Sequence, residues 1–175
     1  AIYHIENIIK LCFIDLPEIN AGFTHNTIGI DDYNNIYSHT QFNTGFSGYP
    51  GGCAADLIYI LEFFLYHNLK LTDYLNNICQ KIINWLDYAQ LDNGLFPYTL
   101  PTTPTTEELF YKCGSSFKKP NLSASFAAGY AYLLWYKITN NDLYLQKYLQ
   151  IIDKIFYSIT ETDLFCCSGF LRDAG

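Results

Sequence analysis

The chain has 175 residues, half of them apolar and 15% charged, with a formal net charge of −7 and a pI near 4.8. That balance excludes a disordered tail, and it leaves no cationic face for a phosphate backbone, so no nucleic-acid partner is expected. The length fits one domain over 1–175. The densest apolar run, Leu57–Tyr66, contains Glu62 and falls short of the roughly 18 residues of a membrane span, so no membrane partner is expected either.

In chain order, Ile2, Ile5, Ile9, Cys12 and Phe13 recur at helical spacing and predict a helix over 2–14, stopped by Pro17. Ala1–Phe13 lacks the basic start and unbroken apolar core of a secretory signal. Residues 20–50 are polar and irregular, ending in Gly45–Gly52, and so long a connection inside a compact domain tends to be functional. Cys53–Tyr66 is apolar nearly all round, which predicts a helix buried on most sides. Thr72 is a natural N-cap for an amphipathic helix over 73–89, with Leu75, Ile78, Cys79, Ile82, Ile83 and Leu86 on one face. The turn residues Asp92–Pro97 end it. A proline- and threonine-rich loop, Thr99–Thr106, and a short helical turn at 107–111 follow. Leu122–Tyr136 is again apolar all round and starts with small residues. Asp142–Ile159 is amphipathic, with Leu145, Leu149, Ile152 and Phe156 on one face.

Leu57–Leu86 and Ala127–Phe156 repeat each other at an offset of 70 residues. Each copy is a buried segment, a polar turn and an amphipathic segment, which is one supersecondary unit stacked on itself. The expected fold is all-α: an α/α toroid, or part of one, built from helical hairpins. The buried helices would form an inner ring, and the long loops that precede them would gather at one mouth. A plain helical bundle is the simpler competitor, but it does not explain why loops before buried helices are long and loops after them short. Two hairpins are too few to close a ring. The chain is therefore expected to be a piece of a larger toroid, to be completed by a second chain, or to form a short open stack.

The chain carries six cysteines at irregular spacings: Cys12, Cys53, Cys79, Cys113, Cys166 and Cys167. Disulfide frameworks belong mainly to small secreted chains. Cys53 and Cys79 fall on apolar helical faces, where free cysteine serves as a small hydrophobe. This usage favours a reducing, cytoplasmic setting.

Three groups of residues are candidates for chemistry. Asp32, beside Asp31, has His25 and His39 near it in sequence. A carboxylate and imidazoles in one loop are the residue types that general acid/base catalysis uses, although Asp32 and Asn34 are also ordinary turn residues. The second group is aromatic. Tyr37, Tyr49, Phe96 and Tyr98 lie in loops that precede buried helices, where ring faces can stack on a sugar and hydroxyls can bond to it. The alternative is that these rings belong to the core. The third is Cys166–Cys167, which could ligate a metal, although adjacent cysteines are a far weaker zinc signal than paired Cys-x-x-Cys motifs. The glycines Gly45, Gly48, Gly51 and Gly52 lack the Lys-Ser/Thr and preceding strand of a phosphate-cradling loop.

Two resemblances follow from these residues. Asp92-Asn-Gly-Leu-Phe-Pro-Tyr98, the segment Pro120–Leu134 and Asp142-Leu-Tyr-Leu-Gln-Lys-Tyr148 resemble the six-hairpin glycosidase superfamily, which includes unsaturated glucuronyl hydrolases and related sugar epimerases. The resemblance covers about 45–165. It implies an α/α toroid acting on a saccharide by proton transfer, without a cofactor. Glycosidic cleavage needs one carboxyl as acid and a second group to activate water or attack. Ser47–Gly52 and Cys166-Cys167-Ser-Gly169, each at the start of an inner helix, resemble the lanthionine synthetase C-like cyclases. That family holds zinc with cysteines and a histidine, which implies a peptide ligand and zinc on Cys166 and Cys167. No Cys-His-Gly motif follows here, so further ligands would come from beyond Gly175 or from another chain.

Overall fold

The computed structural model describes residues 2–14, 22–23, 28–30, 36–38, 47–48, 50–97, 100–101 and 120–160. Five helices carry the described fold: α1 (Ile2–Cys12), α2 (Pro50–Tyr66), α3 (Asp73–Ala89), α4 (Leu122–Thr139) and α5 (Asp142–Thr160). The chain is all-α in class. Pairs of two- or three-residue strands fasten the connections: β1 (Phe13–Ile14) with β2 (Gly22–Phe23), β3 (Ile28–Ile30) with β4 (Ile36–Ser38), and β5 (Ser47–Gly48) with β6 (Leu100–Pro101), all antiparallel. The stretch read as irregular from sequence thus contains short ladders.

Each helix starts where local chemistry starts it. Pro50 opens α2 at a position whose missing N–H costs nothing. Thr72 caps α3, its Oγ1 accepting from the Leu75 N–H at 3.3 Å and donating to the Glu6 carboxylate of α1 at 2.6 Å. The Asn121 side chain caps α4, accepting from the Ala124 N–H at 2.8 Å. Both hairpin turns pass through an asparagine in the left-handed region, Asn68 (φ 50°) and Asn140 (φ 53°). Asparagine tolerates that region better than other residues with a Cβ.

The helices form two hairpins, α2–α3 and α4–α5, joined chiefly through α2 and α4. Those two helices run parallel. Gly51 and Ala124 touch near their N-termini, Glu62 and Tyr130 meet further along, and Tyr66 and Lys137 lie beside one groove at their C-terminal ends. A Cβ on Gly51 would sit 3.1 Å from the Ala124 Cα, so this glycine allows the two backbones to approach. A single core runs through both hairpins, with Leu57, Leu61 and Phe64 of α2, Leu75, Ile82 and Leu86 of α3, Tyr132 and Trp135 of α4, and Ile151 and Ile155 of α5 all buried. α1 lays Ile9 into the same core.

The structure corrects the register of the repeat. Pro50, Cys53, Ala54, Leu57, Ile60, Leu61 and Phe64 are buried, and the residues 71 further on (Asn121, Ala124, Ser125, Ala128, Ala131, Tyr132 and Trp135) are buried too. In the second helices the offset is 69: Leu75, Ile82 and Leu86 correspond to Tyr144, Ile151 and Ile155. The offset of 70 averages these two registers. The change of two arises because the α4–α5 link, 140–141, is four residues shorter than the α2–α3 link, 67–72, while α4 runs two residues past the equivalent of Tyr66.

Candidate functional site

The connections that enter α2 and α4 lie side by side. β5, just before α2, pairs with β6, and Pro97 bridges to Pro120, just before α4. The Asn121 N–H donates to the Phe96 carbonyl at 2.7 Å, and the Phe96 N–H donates to Ser125 Oγ at 2.9 Å. Ser125 Oγ in turn donates to the Asn121 carbonyl at 2.7 Å. This lattice seals the start of α4, with Asn121 and Ser125 both buried. Phe96 is fully buried in the core, so its ring is closed off from solvent. Tyr37 lies in β4, opposite Gly29 of β3. His25, Asp32, His39, Tyr49, Tyr98, Cys166 and Cys167 lie outside the described residues.

An open groove of about 550 Å3 follows the α2–α4 seam toward the C-terminal ends of the two helices. That is within the size of small-ligand sites, roughly 300–1,000 Å3. Tyr59, Glu62 and Tyr66 form one wall, a stripe at helical spacing on α2, with His67 just beyond it. Tyr130 and Lys137 of α4 form the other, and Phe63, Leu65 and Leu134 complete the lining. Tyr59, Tyr66 and Tyr130 are 74%, 85% and 39% exposed. Tyr59 and Tyr130 occupy equivalent positions in the two hairpins, 71 residues apart.

The polar groups of the groove are held in place. The Tyr130 hydroxyl donates to Glu62 Oε1 at 2.7 Å. That bond to a carboxylate raises the Tyr130 pKa, and partial burial and the Glu62 charge add to the effect. The His67 ring packs against Phe63, with centroids 4.7 Å apart, and meets Tyr66 edge-on at 5.0 Å. Lys137 lies in the last turn of α4, where a cation complements the partial negative charge of the helix end. The groove therefore offers ring faces, hydroxyls, an anchored carboxylate, an imidazole and an ammonium.

The chain matches no family model, no curated protein and no solved structure. The groove is accordingly read from its own residues. Among the described residues, no group of three or more His, Cys, Asp or Glu is placed to hold a metal ion, and no helix is long and apolar enough to cross a membrane. Cys53 and Cys79 are buried and outside any disulfide. Burial pushes the Cys79 thiol up to about 12, so it stays protonated at neutral pH and serves packing.

A second polar cluster ties the hairpins together behind the seam. The Tyr132 hydroxyl and the Lys147 ammonium both donate to Asp87 Oδ1, and Lys147 lies 5.3 Å above the Tyr132 ring. The Tyr132 and Tyr144 rings are near-parallel at 6.3 Å, and Trp135 meets Tyr144 edge-on. Burial, reinforced by Asp87, strongly raises the Tyr132 pKa. This aromatic cluster is structural: it joins α3, α4 and α5.

Sequence reasoning placed the candidate site in the loops before the buried helices and missed the groove. α2 and α4 read as apolar all round, which hid the polar stripe. The available signal was Tyr59, Glu62, Tyr130 and Lys137 interrupting otherwise apolar helices.

Proposed function

We propose that this chain is a carbohydrate-active helical-hairpin protein, part of an α/α toroid, whose saccharide lies along the α2–α4 groove. The observation that carries the reading is the stripe of exposed tyrosines beside an anchored carboxylate. Sugar rings present an apolar C–H face to an aromatic ring and hydroxyls to Glu62, His67 and Lys137. Two hairpins joined through their first helices are also the construction unit of a toroid, in keeping with the resemblance to six-hairpin glycosidases. In this reading glycosidic cleavage falls to the loop acids and bases His25, Asp32 and His39.

Calorimetric titration with neutral and uronic-acid oligosaccharides tests the binding step. Each of Tyr59→Ala and Tyr66→Ala is expected to weaken binding about two- to tenfold, the value of one aromatic contact. Hydrolysis of an unsaturated uronide, lost in Asp32→Asn with binding retained, tests the chemistry. A chain that binds no saccharide at millimolar concentration overturns the proposal.

A second reading, a non-catalytic helical-repeat assembly subunit, is favoured by the exposed Leu149 and Phe156 on α5.

A further inference from the structure

Tyr130 lines two depressions that meet at its ring. One is the α2–α4 groove with Glu62, His67 and Lys137. The other lies further toward the N-terminal ends of α2 and α4, a shallow depression of about 410 Å3 lined by Ile58, Phe126, Ala127, Tyr130, Tyr148 and Ile152. The bond from its hydroxyl to Glu62 fixes the Tyr130 side chain between the two. Together they make one trough. The rise along α4 from Phe126 to Lys137 is about 16 Å, more than a single sugar ring spans.

The two halves of the trough suit different chemistry. The first offers a carboxylate, an imidazole and an ammonium. The second has no charged lining residue, and its side chains offer only the hydroxyls of Tyr130 and Tyr148, of which Tyr130's already donates to Glu62. Further sugar hydroxyls laid there would give up water without regaining their hydrogen bonds. An apolar group gives up nothing polar and gains burial. Phe126, 46% exposed, Tyr130 and Tyr148 bring three rings to this half. A flat aromatic group can meet such rings face to face or edge-on. An alkyl chain brings area alone and loses more rotamer freedom on binding.

We propose that the saccharide taken by the groove is a glycoside of an aryl aglycone, with its sugar on the Glu62 and Lys137 side of Tyr130 and its aromatic group on the Phe126 side. The proposal rests on the saccharide reading of the groove and narrows it to one substrate class.

Calorimetric titration of the intact chain with methyl, octyl and 2-naphthyl β-D-glucosides and β-D-glucuronides tests it, beside 2-naphthol and the neutral and uronic-acid oligosaccharides. The 2-naphthyl glycosides are expected to bind at least about tenfold tighter than the methyl glycosides, and tighter than the octyl ones. Phe126→Ala is expected to remove that gain, with oligosaccharide binding and helical circular dichroism unchanged. Should that variant lose its helical signal, Phe126→Leu, which stays apolar and loses the ring, carries the same expectation. Oligosaccharide binding with no gain from the naphthyl group overturns the proposal and leaves the saccharide reading standing. A gain that survives loss of the Phe126 ring, an equal gain from the octyl group, or 2-naphthol bound as tightly as its glycosides overturns it too. So does a chain that dimerises through this depression in sedimentation equilibrium and is released by Phe126→Ala. No binding by any oligosaccharide or glycoside overturns both readings.

Discussion

The α2–α3 hairpin buries eight residues of its second helix, from Leu75 to Ala89, whereas the α4–α5 hairpin buries Tyr144, Ile151 and Ile155 among the described residues of its own. The two hairpins share a register of burial and differ in their neighbours. α3 has α2 on one side and reaches α5 through Asp87 and Gln80 on another, while the far flank of α5 meets solvent at Leu149 and Phe156. The shared positions therefore report the packing inside a hairpin, and the differing ones report what lies beside it.

The largest effect that probes this comparison comes from the cores of the second helices. Ile82→Ala and Ile151→Ala are each expected to cost about 2–5 kcal/mol in urea-unfolding free energy, because both side chains are fully buried. A uniform offset of 70 would instead pair Ile82 with Ile152, which is only partly buried. A costly Ile152→Ala beside a mild Ile151→Ala would break the register described above.

A smaller effect is expected at the seam. Gly51→Leu gives α2 the residue that α4 carries at the equivalent Leu122, but at a point where even a Cβ would crowd the Ala124 backbone. The expected loss is about 1–3 kcal/mol, read from the same unfolding curves. A neutral outcome would mean that the helices can part at their N-terminal ends without penalty.

The smallest effect is a pH dependence that begins with Cys79 of the first hairpin. Cys79 is buried there, while its counterpart 69 residues on, Tyr148, is only partly so. The folded-state pKa is raised from 9.0 to about 12, so above pH 9 the unfolded chain gives up a proton that the folded chain keeps. Stability is fully present below pH 9 and falls as pH rises toward 12. The loss by pH 10 is about 1.4 kcal/mol, the value of one pKa unit. Denaturant midpoints from pH 8 to pH 10 check it, and a flat profile would mean that the thiol reaches solvent. Tyr132 is shifted in the same direction and adds to the slope from about pH 10, the ordinary tyrosine value.

Most of the helices were legible because their signals are local. Periodic apolar residues marked α3 and α5, Thr72 marked a cap, and the long apolar runs marked α2 and α4. The sequence predicts the start of α2 at Cys53 and the structure has it at Pro50, because Gly51 and Gly52 have the character of loop residues until Ala124 is set against Gly51. The register could not be recovered from residue identity. α4 and its link are respectively longer and shorter than their counterparts in the first hairpin, and an alignment by residue type absorbs both differences into one offset. The groove is not legible in the sequence for a related reason. Its walls come from helices far apart in the chain, with Glu62 and Tyr130 separated by 68 residues. No window along a single helix contains both walls.

The parallel course of α2 and α4 carries a consequence for how the chain folds. Parallel neighbours cannot be joined by a tight turn, so every contact along their seam closes a long loop. Each hairpin, by contrast, closes on a link of two to six residues. Loop-closure entropy rises with the length enclosed, and contacts of high sequence separation slow folding. Hairpins should therefore assemble first and dock afterwards. Perturbing Gly51 should accelerate unfolding while leaving the refolding rate nearly untouched.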